Sequence, residues 1–389
     1  MKRTLQLYSM VAAITPALAV YLVLGPLNLD SILMWPLVFV LLLNRRFSTE
    51  QTSKIFFKNL VIISFFCFVT HLVSNWFSIS SFVNNWFSIL LFAIPIVYYT
   101  KLIDAKIFGR TAIILGILAS VIVIWQRINL IMYGSFEHDV FLPWFELSRD
   151  IDTIGIERPS AFFTEPAHLC IFILPLFYLS LRIKKIFLSG LFGFALLCTG
   201  STTGFLGLEI VFIFHVLTQK GKHKILIILF SLALMAGAVY YILNYYQELI
   251  LENVNKLDNV GTDSDDRLLG PLKYLKYYNV ADWLFGVSLN QLYLLLHEAI
   301  HSPLKNDYNY CNSLINSLIS YGILGIFAIW RFLYGLWKQN KTTQGFLLVF
   351  VLILATDQIY FNAHFFYLVT FVLLSDSIVE IMNENHKFI

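Results

Sequence analysis

ERPSAFFTEPAHLCIFILPLFYLSL, residues 157–181, is the stretch on which the reading of the fold turns. Arg158 and Glu165 stand at the mouth of a run that carries no further charge until Arg182. Pro166 fits the first turn of a helix, where its missing N–H costs nothing. The run is therefore a helix, apolar along its length, and a candidate membrane span. A charged side chain in hydrocarbon costs about 2.5–3.5 kcal/mol on insertion scales. Charges at such a helix mouth either face water or have work to do.

The rest of the chain has the same character. Of its 389 residues, 58% are hydrophobic and only 13% are charged. Soluble domains carry about 25% charged residues. With a mean hydropathy of +0.73, the chain reads as an all-α polytopic membrane protein, a single integral membrane domain over residues 1–389. Met1-Lys2-Arg3 precedes the first apolar run as in a signal peptide, but no small-residue cleavage site follows, and we read a retained first helix. Cys67, Cys170, Cys198 and Cys311 lie in or beside apolar runs without metal-binding spacing and read as small core residues.

Stretches near 5–24, 28–43, 55–76, 86–103, 111–132, 165–181, 186–200, 203–218, 225–246, 313–335, 344–358 and 361–381 are candidate spans, about twelve. With the N-terminus in the cytoplasm, 19 of the 27 Lys and Arg residues fall on the inner side. That bias follows the positive-inside rule and predicts an even number of spans with both termini in the cytoplasm. Two loops on the outer side are long: about 133–164 and about 247–312. Long loops are usually functional or disordered. These are rich in Trp, Tyr, Phe and Leu, so we expect order. Leu268, Leu272 and Leu275 have helical spacing, and VSLNQLYLLLHEAIH (287–301) reads as a helix lying at the interface or against the bundle.

The polar residues of these loops admit two readings each. Arg158 is a phosphate ligand, whose planar fork pairs bidentately with phosphate oxygens, or an interfacial arginine with its stem in hydrocarbon. Glu165 is a helix-terminal carboxylate favoured by the dipole, or a group that orients or deprotonates a sugar hydroxyl. His168, one turn on, relays a proton or packs. Arg127 faces a cavity or the interface, and Arg149 sits among acids and suits a salt bridge. Arg267 follows TDSDD (262–266), which resembles a metal-binding DxD but better suits an acidic helix cap. Lys273 and Lys276 are further cations nearby. Asn309 and Asn312 bind sugar hydroxyls or cap the following helix. Glu209, in GFLGLEIVFIF (204–214), is a mid-span carboxylate, either functional or tied to Ser201, Thr202 and Thr203. His297 and His301 lack a third ligand at suitable spacing. No metal or other cofactor is expected, and no nucleic-acid partner.

In combination these features resemble the Wzy-type O-antigen polymerases, relatives of the O-antigen ligases. In that group a segment like R-x-x-x-F-x-x-E-P enters a span after the first large loop, as Arg158 to Pro166 does here. A Ser/Thr-Gly turn follows, similar to TGSTTG (199–204). The second large loop opens with an Arg and runs to a Phe-Gly pair, as from Arg267 to LFGVS (284–288), with Ser288 where the second Gly is usual. An Asn-Ser entrance and a Gly-Ile-Leu-Gly span complete the order, as in NSLINSLISYGILG (312–325), where the glycines suggest helix packing. The resemblance spans roughly residues 150–335. Tyr310-Cys311-Asn312 stands where the ligase branch carries a His-Asn pair, which favours the polymerase branch. Neither Arg158 nor Arg267 shows the Arg-x10-Gly spacing of some polymerases.

The resemblance implies a metal-independent membrane glycosyltransferase acting on undecaprenyl-pyrophosphate-linked oligosaccharides at the periplasmic face. It implies Arg158 and Arg267 on the pyrophosphate, Glu165 and His168 near the acceptor hydroxyl, and Arg127, Arg149, Lys273, Lys276, Asn309 and Asn312 as candidate substrate contacts. A chain-length regulator, a flippase and membrane lipids are the implied partners. The alternatives are an O-antigen ligase and, in another class, a transporter or flippase of lipid-linked oligosaccharides. The scarcity of mid-span charge and of internal repeats weighs against transport.

Overall fold

A computed structural model of the chain describes residues 2–24, 27–136, 141–142, 144–147, 158–218, 269–339 and 341–384. The chain is predominantly helical with very little sheet. It divides into two compact units. The first is drawn from Met1–Arg46, Ile103–Leu257 and Leu374–Ile389, the second from Phe47–Leu102 and Asp258–Leu373.

The first unit holds α1 (Lys2–Leu18), α2 (Leu29–Leu43), α5 (Ala105–Tyr133), α6 (Pro166–Arg182), α7 (Ile186–Cys198) and α8 (Thr202–Thr218). Its centre is α6, in which every residue from Leu169 to Ser180 is buried. The helix that sequence shows as apolar along its length is thus enclosed by α5, α7 and α8. Small residues allow the approach. A Cβ on Gly207 would stand 2.6 Å from a Leu174 methyl, and one on Gly204 would stand 2.8 Å from the Cys170 sulfur.

The second unit holds α3 (Gln51–His71), α4 (Ile79–Tyr98), two short helices α9 (Val280–Phe285) and α10 (Leu292–Ile300), then α11 (Ser313–Trp337) and α12 (Lys341–Thr356). The last helix, α13 (Ala363–Glu384), begins in this unit and ends in the first. Caps mark the starts: the Ser78 hydroxyl accepts from Ser81 N at α4, and the Glu50 carboxylate accepts from Ser53 N at α3.

Helices α3, α4, α5, α11 and α13 are long and apolar enough to cross a membrane. Their outward positions are apolar too: Val61, Ile62, Phe65 and Phe66 on α3, and Ile114, Leu118 and Val121 on α5, are exposed. Such a surface suits lipid and not water. The other apolar stretches near 28–43, 165–181, 186–200, 203–218 and 344–358 carry shorter helices. The stretch 225–246 lies outside the described residues.

The first apolar stretch departs from expectation. Its helix ends at Leu18, two residues past Pro16, and Tyr21–Leu24 forms a strand. That strand pairs antiparallel with Leu27–Asn28 and with Glu146–Leu147. YLVL is an apolar run with a β-branched residue, which helix and strand both accept. The distant partner at 146–147 decides.

Of residues 247–312, those from 269 onward are described. Gly270–Tyr277 is a 3-10 helix, and α10 occupies much of 287–301. Leu275, Tyr278, Val287, Leu292, Leu295, Leu296, Cys311 and Ile319 form a common core, with Trp76 and Tyr308 at its edge. The loop carries enough apolar surface to order itself.

Candidate functional site

The segment after the first long loop is pinned from below. Gln126, fully buried near the end of α5, accepts through Oε1 from Ser160 N (3.2 Å) and Ala161 N (2.8 Å). Ala161 takes a left-handed φ of 52°, which costs a residue with a Cβ, and the amide bridge holds it there. Pro159, Ser160, Ala161, Phe163 and Thr164 are all buried. Phe163 packs on Phe172, nearly two turns inside α6, with ring centroids 5.5 Å apart. Arg158 and Glu165, both half-buried, are the polar ends of this fixed eight-residue link.

Glu165 is the residue before Pro166 at the N-cap of α6, and its carboxylate makes no capping hydrogen bond. His168 Nδ1 lies 3.5 Å from the Thr164 hydroxyl, on the turn that Glu165 opens. The TGSTTG segment closes the same end of the bundle. The Thr199 hydroxyl donates to Leu196 O, lies 3.4 Å from the Cys170 sulfur and accepts from Ser201 N. The two motifs meet through α6: Cys170 lies one turn beyond Pro166.

Arg127 turns towards this end as well. Its Nε donates to Cys198 O at 2.8 Å, the last residue of α7. A cation at a helix C-terminus complements the open carbonyls and the dipole. One of its five donors is thereby committed to structure. Glu209 is elsewhere. It lines a groove of about 780 Å³ between α6, α7 and α8, otherwise walled by Phe177, Leu197, Leu208 and Phe212, with Lys184 and His215 also on its rim.

In the second unit, Lys273 and Lys276 lie over the rings of their neighbours Tyr274 (5.4 Å) and Tyr277 (5.0 Å). Asn312 is the N-cap of α11, its Oδ1 accepting from Ile315 N at 3.0 Å. That carboxamide is buried, and its oxygen caps the helix. Asn309 is different. Its Oδ1 accepts from Tyr293 N (3.4 Å), its Nδ2 donates to Asn290 O (3.3 Å), and it lines an open polar pocket. His297 Nδ1 bonds Ser302 O at 2.7 Å, a local tie at the end of α10. Arg149, Arg267 and TDSDD lie outside the described residues.

Sequence reasoning missed the residues that fix this second region. At the end of α3, His71 Nε2 lies 3.2 Å from Asp282 Oδ1 and 3.2 Å from Gly286 O, and both partners are acceptors. The Cys67 thiol donates to the same carbonyl. Asp282 also accepts from Asn279 N, completing a capping box on α9. Burial raises the Asp282 pKa, which the Asn279 N–H and His71 partly offset. Burial likewise pushes the Cys311 thiol up to about 12, so it is no nucleophile at neutral pH. YGILG is a break as well as a contact: Gly322 leaves helical geometry at φ 64°, ψ −162°.

No protein-family model matches the chain, and no curated protein matches it.

Proposed function

We propose that the chain is a glycan polymerase of the Wzy type, spanning a bacterial inner membrane about twelve times with both termini in the cytoplasm. It joins undecaprenyl-pyrophosphate-linked oligosaccharides at the periplasmic face. The observation that supports this reading best is the pinning of residues 158–165. A guanidinium and a carboxylate sit on one short link, locked by the Gln126 amide against the end of α5. Positioned groups of this kind act where charge develops, because they need no reorganisation during reaction.

In the proposed reaction an acceptor sugar hydroxyl attacks the anomeric carbon of the donor glycan. The bond from that carbon to the pyrophosphate oxygen breaks, and its electron pair leaves with undecaprenyl pyrophosphate. Arg158 meets that growing negative charge, together with Arg267 as the resemblance implies. Glu165 takes the hydroxyl proton, with His168 one turn further on to pass it outward. The pinned link gives Arg158 a fixed base from which a bidentate contact is geometrically selective.

The test is surface polysaccharide in a strain deleted for this chain and complemented with variants at matched protein levels. Arg158→Ala and Arg267→Ala cells should show lipopolysaccharide capped with a single repeat unit and no ladder. Arg158→Lys should be impaired as well, since lysine cannot pair bidentately. Wild-type ladders for both alanine variants would sink the proposal. Accumulated lipid-linked polymer would identify a ligase instead, and unreacted repeat units held on the cytoplasmic side would identify a flippase.

A further inference from the structure

A second concave site lies within the second unit, and its lining has an unusual chemistry. Its volume is about 440 Å³, inside the range of small-molecule sites. Five carboxamides face it: Asn84, Asn85, Asn290, Asn309 and Gln358. Ser81, Tyr293 and Tyr310 complete the wall, and no charged side chain lines it among the described residues. These residues come from the start of α4, the stretch from Asn290 into the start of α10, the approach to α11 and the link after α12. The charge distribution of the sequence assigns all four places to the same, outer side.

The carboxamides are held before any ligand arrives. Asn85 Nδ2 donates to Leu289 O at 2.5 Å, and Asn290 Nδ2 donates to Asn85 Oδ1 at 3.4 Å. Gln358 Nε2 reaches Asn309 O at 3.4 Å. Asn290 itself sits at φ 56°, a conformation that asparagine tolerates better than most residues. Each carboxamide offers two donors and two acceptor lone pairs, more than these ties consume. The remaining capacity points both ways, donating and accepting. That pattern matches hydroxyl groups, which also do both. The tyrosines add flat apolar faces with polar edges.

We infer that this pocket binds an uncharged pyranose unit of a glycan. The inference rests on the glycan-handling reading above but adds the sugar subsite and its selectivity. Acidic sugars and phosphate are disfavoured, because no cation among the described residues lines the pocket to offset their charge. The pyrophosphate of a lipid carrier then binds elsewhere, while a neutral ring of the chain attached to it occupies the amide pocket.

The experiment is saturation-transfer NMR on the full chain in nanodiscs. The probes are the methyl glycosides of glucose, galactose, mannose, rhamnose and N-acetylglucosamine, with methyl glucuronide and inorganic pyrophosphate as charged comparators. At least one neutral glycoside should give signal above empty nanodiscs, and the charged probes should not compete with it. Asn84→Ala, on the exposed rim of α4, should cut that signal at least fivefold while helical content and melting temperature hold. Gln358→Ala provides a second variant on a different element. Silence from every neutral glycoside, competition by methyl glucuronide, or undiminished signal in both variants overturns the inference. The two proposals fail separately. Sugar binding lost in Asn84→Ala beside full ladders in both Arg158→Ala and Arg267→Ala supports the pocket and removes the polymerase. No sugar binding beside lost ladders removes only the pocket.

Discussion

Gly286 and Gly322 interlock backbone to backbone. A Cβ on Gly286 would stand 2.3 Å from Ser320 C and Tyr321 N, and one on Gly322 would stand 2.5 Å from Leu284 C and O. Both glycines have positive φ, 73° and 64°. Both have ψ near ±170°, a region open essentially to glycine alone. The contact is extended by Val287 N donating to Ile319 O and Ser288 N donating to Ser320 O, each at 3.0 Å. α11 breaks at Gly322, and the second long loop is stitched into the break.

Alanine at either glycine should therefore destabilise strongly. The backbone strain alone is about 1–3 kcal/mol, and the clash with fixed backbone adds to it. Gly190→Ala is the matched comparison, since a Cβ there meets nothing within 4 Å and the site lies inside α7. That change should be neutral or stabilising by up to about 1 kcal/mol. Thermal unfolding of the detergent-purified variants measures all three. Wild-type melting of both Gly286→Ala and Gly322→Ala would contradict the interlock.

The same pair shows how far the sequence could be read. LFGVS and YGILG both stand out in it, as does the order in which they occur. Their contact does not, because positive φ is a demand of the partner backbone and leaves no mark beyond the glycine itself. The start of α6 is legible for the opposite reason: Pro166 and the apolar run after it are local signals. Gln126 is opaque, a single polar residue in an apolar helix whose role depends on the amides of a link more than thirty residues away. The carboxamide pocket is half legible. Asn309 is noticeable beside a helix start, but Asn84, Asn85, Asn290 and Gln358 gain meaning only when four separated segments converge.

Asn312 separates capping from binding. Its Oδ1 holds Ile315 N at the start of α11, so Asn312→Ala should cost about 1 kcal/mol of stability. Asn312→Ser or Asn312→Asp should restore most of it, because both side chains cap. Polymer formation should follow stability across the three variants. A ladder lost in Asn312→Ser at wild-type melting temperature would make this residue a substrate ligand after all.

Glu165 should behave in the reverse way. Glutamine keeps the size and a hydrogen-bonding oxygen of the side chain, so Glu165→Gln should change melting by less than about 1 kcal/mol, the range of a charge at a helix terminus. If it is the base that the proposed reaction requires, polymer length should collapse nonetheless, by the 100-fold or more that is roughly the worth of a positioned general base. Quantifying ladder bands against protein level in Glu165→Gln cells decides between base and bystander.

Asp282 links pH to the anchoring of the second loop. Its side chain is 1% exposed, bound to Asn279 N and close to His71 at the end of α3. Burial raises its pKa, so the folded protein keeps this proton to higher pH than the unfolded chain does. The sign follows from linkage. The stability it contributes is complete below the unfolded carboxyl value of about 3.9 and is lost as pH rises through the raised folded value. Asp282→Asn keeps an oxygen for the Asn279 N–H but cannot ionise. Melting temperature measured from acid towards neutral pH should fall more steeply for wild type than for the variant. Parallel slopes would mean that the carboxyl ionises in the fold as easily as in water, and that the His71 contact fully compensates its burial. Because Asp282 and Gly286 bracket the end of α9, any loosening there should also reach the Gly286–Gly322 interlock, and Gly286→Ala should steepen the same pH dependence.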